Sequence, residues 1–180
     1  MAHFNAGQTV WLFTLAFACT AGWVDSRTQR IPNWLTVPGL LLGIALHSAL
    51  SGWTGTEMAL EGAGLGLLVL LPLVLLRALG AGDWKLMGAI GALLGPAMLW
   101  FVLLASIFAA GLMAAVLVIR ARRVRETLRN MGMLITGFLT FGLRAPSDVS
   151  LDNPRLLKLP FGVAVAIGTL VCFVAAGRGL

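Results

Sequence analysis

The sequence predicts an all-α fold: a polytopic bundle of membrane-spanning helices that forms a single domain over residues 1–180. Two observations predict this class. Hydrophobic residues make up 59% of the 180 residues and charged residues only 11%, whereas soluble domains carry about 25% charged residues. Several apolar stretches also approach the ~20 residues that a helix needs to cross a bilayer. A soluble domain of this length could not bury so much apolar surface in one core.

Six apolar stretches are predicted to be transmembrane helices, at about residues 9–24, 35–50, 58–79, 84–94, 97–119 and 160–176. The fourth stretch is short, because as a helix it would rise only about 16 Å. Gly95-Pro96 follows it directly and predicts a tight turn or a kink between two spans. Five spans is the alternative, in which this break does not separate two crossings.

The distribution of Lys and Arg predicts the orientation of these spans. With the N-terminus outside, twelve of the 13 basic residues fall on the cytoplasmic side, which is the positive-inside pattern. The twelve are Arg27, Arg30, Arg77, Lys85, Arg120, Arg122, Arg123, Arg125, Arg129, Arg144, Arg155 and Lys158, and the exception is Arg178. The pattern favours six spans with both termini outside. The loop 120–159 would then be cytoplasmic, and its short apolar segment Asn130–Leu143 is predicted to be an interfacial helix.

Two of the seven acidic residues, Asp25 and Asp83, lie at the ends of apolar stretches. An acid packed among membrane helices is costly and is by default a candidate for function. In the predicted orientation, both acids lie at the cytoplasmic face. One of two neighbouring carboxyl groups tends to keep its proton, and such a pair can hydrolyse a peptide bond. The alternative is that the two acids only cap helices or pair with Arg27 and Lys85.

The two helix ends suggest how such a pair would share a proton. Asp25 lies at the C-terminal end of its predicted helix, where the helix dipole disfavours a negative charge. Asp83 lies at an N-terminal end, where free N–H groups and the dipole favour one. We therefore expect Asp25 to keep the proton and Asp83 to be the ionised base.

Six residues near the two acids are predicted to support the site or to meet the substrate: Gly80, Gly82, Lys85, Arg27, Pro32 and Asn33. The two glycines remove side chains where a substrate backbone or another helix must approach closely. The lysine could hold substrate charge or tune Asp83, or it could be an interfacial anchor. Arg27, like the neighbouring Arg30, could meet the substrate, although the positive-inside pattern also explains both arginines. The Pro-Asn pair is expected to shape the entry to the second span.

Three blocks of the chain resemble motifs of the type IV prepilin peptidases. The stretch GAGDWKL, residues 80–86, resembles the family signature G-x-G-D-x-K-L. Asp25 and Arg27, followed by Ile31-Pro32-Asn33, are similar to the family's first-aspartate motif. The block LPFG at residues 159–162, followed by Ala-Ile-Gly at 166–168, resembles the closing Pro-(Phe/Tyr)-Gly helix. The blocks occur in the expected order and together extend over most of the chain.

The resemblance implies an intramembrane aspartic endopeptidase of the bacterial inner membrane. It would cleave prepilin leaders at the cytoplasmic face, typically just after a glycine, in support of pilus biogenesis or type II-like secretion. Its catalytic pair corresponds to Asp25 and Asp83, and its partners would be the prepilin leader, the hydrophobic helix that follows it, and membrane lipids. Many members of the family also carry paired C-x-x-C motifs and N-methylate the pilin. This chain has no such motif, so it resembles the short, peptidase-only class associated with tight-adherence (Flp-type) pili, and methyltransferase activity is doubtful.

Two other classes of function are weighed against a peptidase: a noncatalytic assembly factor for a pilus or secretion system, and a small ion-coupled transporter. A transporter should have polar residues across the bilayer midplane, whereas both acids lie near one face. No cofactor is expected. No metal site is predicted, because His3 and His47 lie on separate segments and Cys19 and Cys172 form no C-x-x-C pair. The basic residues do not form an aromatic-interleaved surface, so no nucleic acid partner is expected.

Overall fold

The computed structural model describes residues 6–75, 79–122, 124, 125, 127, 129 and 159–177. Four α-helices are traced through these residues: α1 (Ala6–Thr28), α2 (Asn33–Leu75), α3 (Ala81–Arg120) and α4 (Phe161–Gly177). The described part of the chain contains no strand, which confirms the all-α prediction. The predicted interfacial helix Asn130–Leu143 and most of the loop 120–159 lie outside the described residues. So do six of the basic residues used for the orientation: Arg77, Arg123, Arg144, Arg155, Lys158 and Arg178.

Four of the six predicted spans fall within two long helices, α2 and α3, each of which is broken once. The second and third predicted spans both lie within α2, apart from residues 76–79 at the end of the third, and the fourth and fifth both lie within α3. Each helix is interrupted by one glycine in the left-handed region: Gly52 (φ 60°, ψ −136°) and Gly95 (φ 76°, ψ 172°). Glycine adopts this conformation without the steric penalty of a side chain, so the chain changes direction and then resumes its helical hydrogen bonding.

The break at Gly52 reverses the direction of α2. The hydroxyl oxygens of Ser48 and Thr56 lie 2.6 Å apart and form a hydrogen bond. In a straight helix these residues, eight positions apart, would be separated by a rise of about 12 Å. The chain therefore folds back on itself at this glycine, with one side chain from each half joined across the turn.

The first half of α2 runs in the same direction as the beginning of α3. The Lys85 ammonium group donates to the Asn33 side-chain oxygen (3.0 Å) at one end of the pair. Towards the other end, the His47 Nε2–H donates to the Leu93 carbonyl (2.8 Å). Residue numbers thus increase together along the two segments, which makes them parallel neighbours.

The second half of α2 runs in the opposite direction along the same part of α3. Gly62 packs backbone to backbone against Gly91. Further along α2, the carbonyl of Leu67 accepts a hydrogen bond from the indole N–H of Trp84 (2.6 Å). The first half of α3, in which residues 86–95 are all buried, is consequently enclosed between the two halves of α2.

The break at Gly95 likewise folds α3 back. Ser106 packs closely against Gly168 of α4, where a methyl group added to the glycine would lie 2.5 Å from the Ser106 hydroxyl oxygen. Gly162 bonds to Asp25, which shares a cleft with Asp83, so Gly162 and Asp83 lie at the same end of the bundle. Gly168 is only six residues, or about 9 Å of helix, further along α4. A straight α3 would instead carry Ser106 about 34 Å away from Asp83. Only a sharp bend brings these contacts together.

Helix α4 packs between α1 and α3 and is antiparallel to α1. Gly22 near the end of α1 lies against the backbone of Gly162 at the start of α4. At the other end of the pair, the rings of Trp11 and Phe173 lie with their centroids 6.3 Å apart. The last helix thereby places its N-terminus beside the C-terminal turn of the first.

Large apolar side chains cover the outside of the bundle. Phe108 is 77% exposed and Trp53 is 73% exposed, and many other leucine, valine and tryptophan side chains also face outward. By length and composition alone, α2 and α3 are long and apolar enough to cross a membrane, and α4 is a shorter apolar helix. The interior also contains large apolar side chains, among them Leu86, Met87 and Ile90 of α3, while glycines make the closest contacts between helix backbones.

The backbone contact between Gly62 and Gly91 generates a stability prediction. In Gly62→Ala, the new methyl group would collide with the Gly91 carbonyl, so we expect a loss of about 1–3 kcal/mol in unfolding free energy. Gly64→Ala is the matched control, because it lies on the same helix and has open space around it. Thermal unfolding in detergent solution measures both variants. Equal midpoints would show that this contact is not tight.

Candidate active site

An open cleft of about 280 Å³ lies where the end of α1 meets the beginning of α3. Its lining residues are Asp25, Gln29, Arg30, Ile31, Gly80, Ala81, Gly82 and Asp83. The structure therefore brings together the two acids singled out in the sequence. The Asp25 side chain is only 4% exposed, Asp83 is partly buried, and the two carboxyl groups are near enough to interact electrostatically.

Asp25 is positioned by the way in which α1 ends. The helix ends at Thr28, and Gln29 takes a left-handed conformation (φ 51°). Its backbone N–H donates to the Asp25 carbonyl (2.8 Å), which is the bond of an αL C-cap. Glycine is the usual residue at such a position. The turn directs the chain back over the helix end, so that Arg30 and Ile31 line the cleft beside the acid.

The carboxyl group of Asp25 contacts the N-terminus of α4. Its Oδ2 atom accepts a hydrogen bond from the backbone N–H of Gly162 (2.8 Å), and this bond is buried. The sequence prediction that Asp25 keeps the proton considered only the C-terminal end of α1. The free N–H groups at the start of α4 act in the opposite direction. The helix-end argument therefore no longer distinguishes Asp25 from Asp83.

Asp83 is positioned by the start of its own helix. Gly80 is the N-cap of α3, with extended backbone (φ −69°, ψ 142°), and Asp83 is the third helical residue. The Asp83 carboxyl group reaches back to form a hydrogen bond with the Gly80 backbone, as the N3 side chain does in a capping box. Each of the two acids is thus held by a backbone hydrogen bond at a helix N-terminus.

The two predicted glycines have different neighbours. A methyl group on Gly82 would lie 2.9 Å from the Ile31 carbonyl oxygen and 3.1 Å from its Cβ atom. Gly82 therefore allows the chain's own α1–α2 connection to pack closely against the start of α3. A methyl group on Gly80 would lie 3.0 Å from Oδ2 of Asp83. Both glycines line the cleft, and their closest contacts are made within the protein.

Lys85 and Asn33 are close in sequence to residues that line the cleft, and a hydrogen bond joins their side chains. The Lys85 ammonium group donates to the side-chain oxygen of Asn33 (3.0 Å), so the lysine joins the start of α3 to the start of α2. Arg27 lies over the ring of Trp23, with 5.7 Å between its guanidinium carbon and the ring centroid. Neither cation is among the residues that line the cleft.

Pro32 lies directly before α2, whose entry it was predicted to shape. Its carbonyl oxygen accepts backbone hydrogen bonds from Leu35 (3.1 Å) and Thr36 (3.4 Å). The proline precedes Asn33, the first residue of α2. A carbonyl group that accepts the first backbone hydrogen bonds of a helix is typical of the residue just before it.

Four residues of the site were not predicted from the sequence: Gln29, Ile31 and Ala81 as lining residues, and Gly162 as a contact of Asp25. Gly162 had a signal, because it belongs to the Leu-Pro-Phe-Gly block. That signal did not indicate which part of the protein the block would contact. Ile31 and Ala81 lie within the quoted motif blocks but were given no role, and no pattern pointed to Gln29.

No group of three or more His, Cys, Asp or Glu side chains that could hold a metal ion occurs in the described part of the chain. His47 lies away from the cleft and bonds to the Leu93 carbonyl. The chemistry that the cleft offers is that of two carboxyl groups, held by backbone N–H groups and accessible from one side.

A family model supports a functional reading of this geometry. The model of the type IV leader peptidase family matches residues 12–116, more than half of the chain. The match includes both acids and most of the three helices that surround them. No curated protein and no solved structure was found to match the chain.

The bond between Asn33 and Lys85 generates a second prediction. We expect Asn33→Leu and Lys85→Met to be coupled, because either substitution alone removes the same hydrogen bond. A double-mutant cycle on unfolding free energy in detergent should give a coupling of about 0.5–1 kcal/mol. Strict additivity of the two substitutions would show that the bond does not join the two helix starts in solution.

Proposed function

The chain belongs to the type IV leader peptidase family, and on that premise we propose that it is an aspartic endopeptidase that removes the leader peptides of prepilin-like proteins. The observation that carries the proposal is the meeting of Asp25 and Asp83 in one cleft. The two acids come from different helices, and their carboxyl groups interact unfavourably when both are ionised. A pair kept together despite this repulsion is typical of a catalytic dyad.

The proposed mechanism uses one ionised and one protonated carboxyl group. The ionised group takes a proton from a water molecule while the water oxygen forms a bond to the scissile carbonyl carbon, and the π electron pair of the carbonyl moves onto its oxygen. That oxygen then re-forms its double bond to carbon as the C–N bond breaks. The C–N electron pair goes to the nitrogen, and the protonated acid supplies the proton that the amine needs. Because both acids are held at helix N-termini, either could begin as the base, and the pair titrates as a unit.

The proposed topology is six membrane crossings in the bacterial inner membrane, with both termini outside and the loop 120–159 in the cytoplasm. Two observations support it. The reversals at Gly52 and Gly95 divide α2 and α3 into halves that run in opposite directions, and the basic residues follow the positive-inside pattern. The cleft would then open at the cytoplasmic face, near Arg27, Arg30 and Lys85.

The proposed substrate is the leader of a prepilin together with the hydrophobic helix that follows it. The scissile peptide would enter the cleft between the end of α1 and the start of α3, while the apolar helix would lie in lipid against the exposed apolar surface of the bundle. The sequence has no C-x-x-C motif, so the proposal covers leader cleavage and not methylation of the pilin.

The catalytic assignment is tested with Asp25→Asn and Asp83→Asn. Each variant should cleave a prepilin at least about 100-fold more slowly than the wild type, with little change in helix content. Cleavage is measured on purified protein in detergent, and the cut is located by mass spectrometry. Glu57→Gln and Glu61→Gln are matched controls, because these exposed acids lie on the second half of α2, and they should cleave normally.

The outcomes separate the proposed function from its alternatives. Normal cleavage by either aspartate variant would overturn the catalytic pair. Normal pilin maturation in cells that carry the two variants would favour a noncatalytic assembly factor. Loss of a proton or cation flux, without any loss of cleavage, would favour an ion-coupled transporter.

The topology is tested by labelling single cysteines in a background that lacks Cys19 and Cys172. Arg122→Cys, beyond the end of α3, should react with an impermeant thiol reagent only from the cytoplasmic side. Ser51→Cys, at the turn in α2, should react only from the outside. Both positions are exposed. The reverse pattern would invert the orientation and move the cleft to the outer face.

A further inference from the structure

Gly162 packs closely against Asp25 at the start of α4. A methyl group on Gly162 would lie 2.9 Å from the Cβ atom of Asp25, 3.1 Å from its Oδ2 and 3.3 Å from the Ala21 carbonyl oxygen. The backbone of α4 therefore approaches the acid so closely that no side chain fits between them. The same approach places the Gly162 N–H 2.8 Å from the Asp25 carboxyl oxygen.

The donor in this bond is available because of its position in α4. Gly162 is the second residue of the helix, and the first N–H groups of a helix have no partner within it. The next N–H group, that of Val163, already bonds to the Pro160 carbonyl (3.1 Å). Pro160 has no N–H group of its own. The Gly162 N–H is thus a free donor, and the Asp25 carboxyl group is its acceptor.

We propose that Gly162 is a positioning residue for leader cleavage, and that its backbone N–H holds the Asp25 carboxyl group in the orientation that the reaction needs. The proposal rests on the proposed function. The hydrogen bond engages Oδ2 and restricts rotation of the carboxyl group. Oδ1 is then the oxygen that exchanges a proton with water or with the leaving amine. The absent side chain is what allows the donor to reach the acid.

A simple packing role for Gly162 is the alternative, and Gly168 shows what such a role looks like. Gly168 packs just as closely against Ser106, with its missing methyl group 2.7 Å from the Ser106 nitrogen, but its three nearest neighbouring atoms all belong to Ser106 and neither acid is among them. Substitution at a packing glycine lowers stability. Substitution at a positioning glycine should also slow the chemical step, in a fully folded protein.

The test compares Gly162→Ala, Gly162→Pro and Gly168→Ala. Alanine at position 162 adds a methyl group and keeps the N–H, whereas proline also removes the N–H and is tolerated in the first turn of a helix. For each variant, kcat and KM for a prepilin peptide are measured beside the unfolding midpoint. Gly168→Ala should lower the midpoint and leave kcat within about twofold. Gly162→Pro should have a kcat about 10–100-fold below that of Gly162→Ala, at similar KM.

An amide-to-ester replacement at position 162 keeps the test decisive if the proline variant does not fold. Incorporating glycolic acid in place of Gly162 replaces the N–H by oxygen and adds no side chain. The ester protein should fold, bind a noncleavable leader peptide as tightly as the wild type does, and have a kcat lower by about 10-fold or more.

The outcomes separate this inference from the function on which it rests. If the wild type cleaves the peptide and the ester protein has the same kcat, Gly162 is only a packing residue and the inference is overturned. If the ester protein loses affinity for the peptide while kcat is unchanged, the N–H acts in binding and the inference is again overturned. Failure of the wild type to cleave any prepilin overturns the proposed function, and the inference with it.

Discussion

The structure depends on contacts in which the backbone of one helix touches the backbone of another. Gly62 meets Gly91 between α2 and α3, Gly43 meets the backbone at Ala92, and Gly22 meets Gly162 between α1 and α4. In lipid, association between helices has no hydrophobic driving force, so close packing and hydrogen bonds must stabilise it. Small residues allow that packing. Large apolar side chains fill the remaining interior, such as Leu86, Met87 and Ile90, and many others are exposed on the outer surface.

The same close packing makes the acid site possible. Two neighbouring carboxyl groups are costly to bury, and each is compensated by a backbone hydrogen bond at a helix N-terminus. For Asp83 the donor belongs to its own helix. For Asp25 the donor belongs to α4, which can come near only because Gly22 and Gly162 have no side chains. The proposed chemistry and the packing of the bundle therefore depend on the same glycines.

The two glycine breaks determine the arrangement of the remaining helices. Without the reversals at Gly52 and Gly95, α2 and α3 would be single rods of about 60 Å, twice the thickness of a bilayer core. The reversal of α2 encloses the first half of α3 on two sides, and the reversal of α3 returns its second half to α4. The first half of α3 is thus held in the interior of the bundle, while Asp83 at its start faces the open cleft.

The sequence by itself determined the helical class, the apolar stretches, and the identity of the two acids. These features are local, because composition and the length of an apolar stretch do not depend on distant contacts. It also located the break at Gly95-Pro96, since proline lacks an N–H and interrupts a helix. The sequence did not indicate that the two halves of α2 would pack against the same part of α3, because those contacts join residues far apart in the chain.

Only the tertiary structure decided which residues surround the acids. Asp25 is at the C-terminal end of α1, and from the sequence its environment was expected to be negative. The approach of α4, 137 residues further along the chain, supplies a free N–H group and reverses that expectation. Likewise, Gly82 was expected to make room for a substrate or another helix, and it makes room for Ile31. The sequence identifies a residue's chemical groups, but its electrostatic environment depends on which distant backbone packs against it.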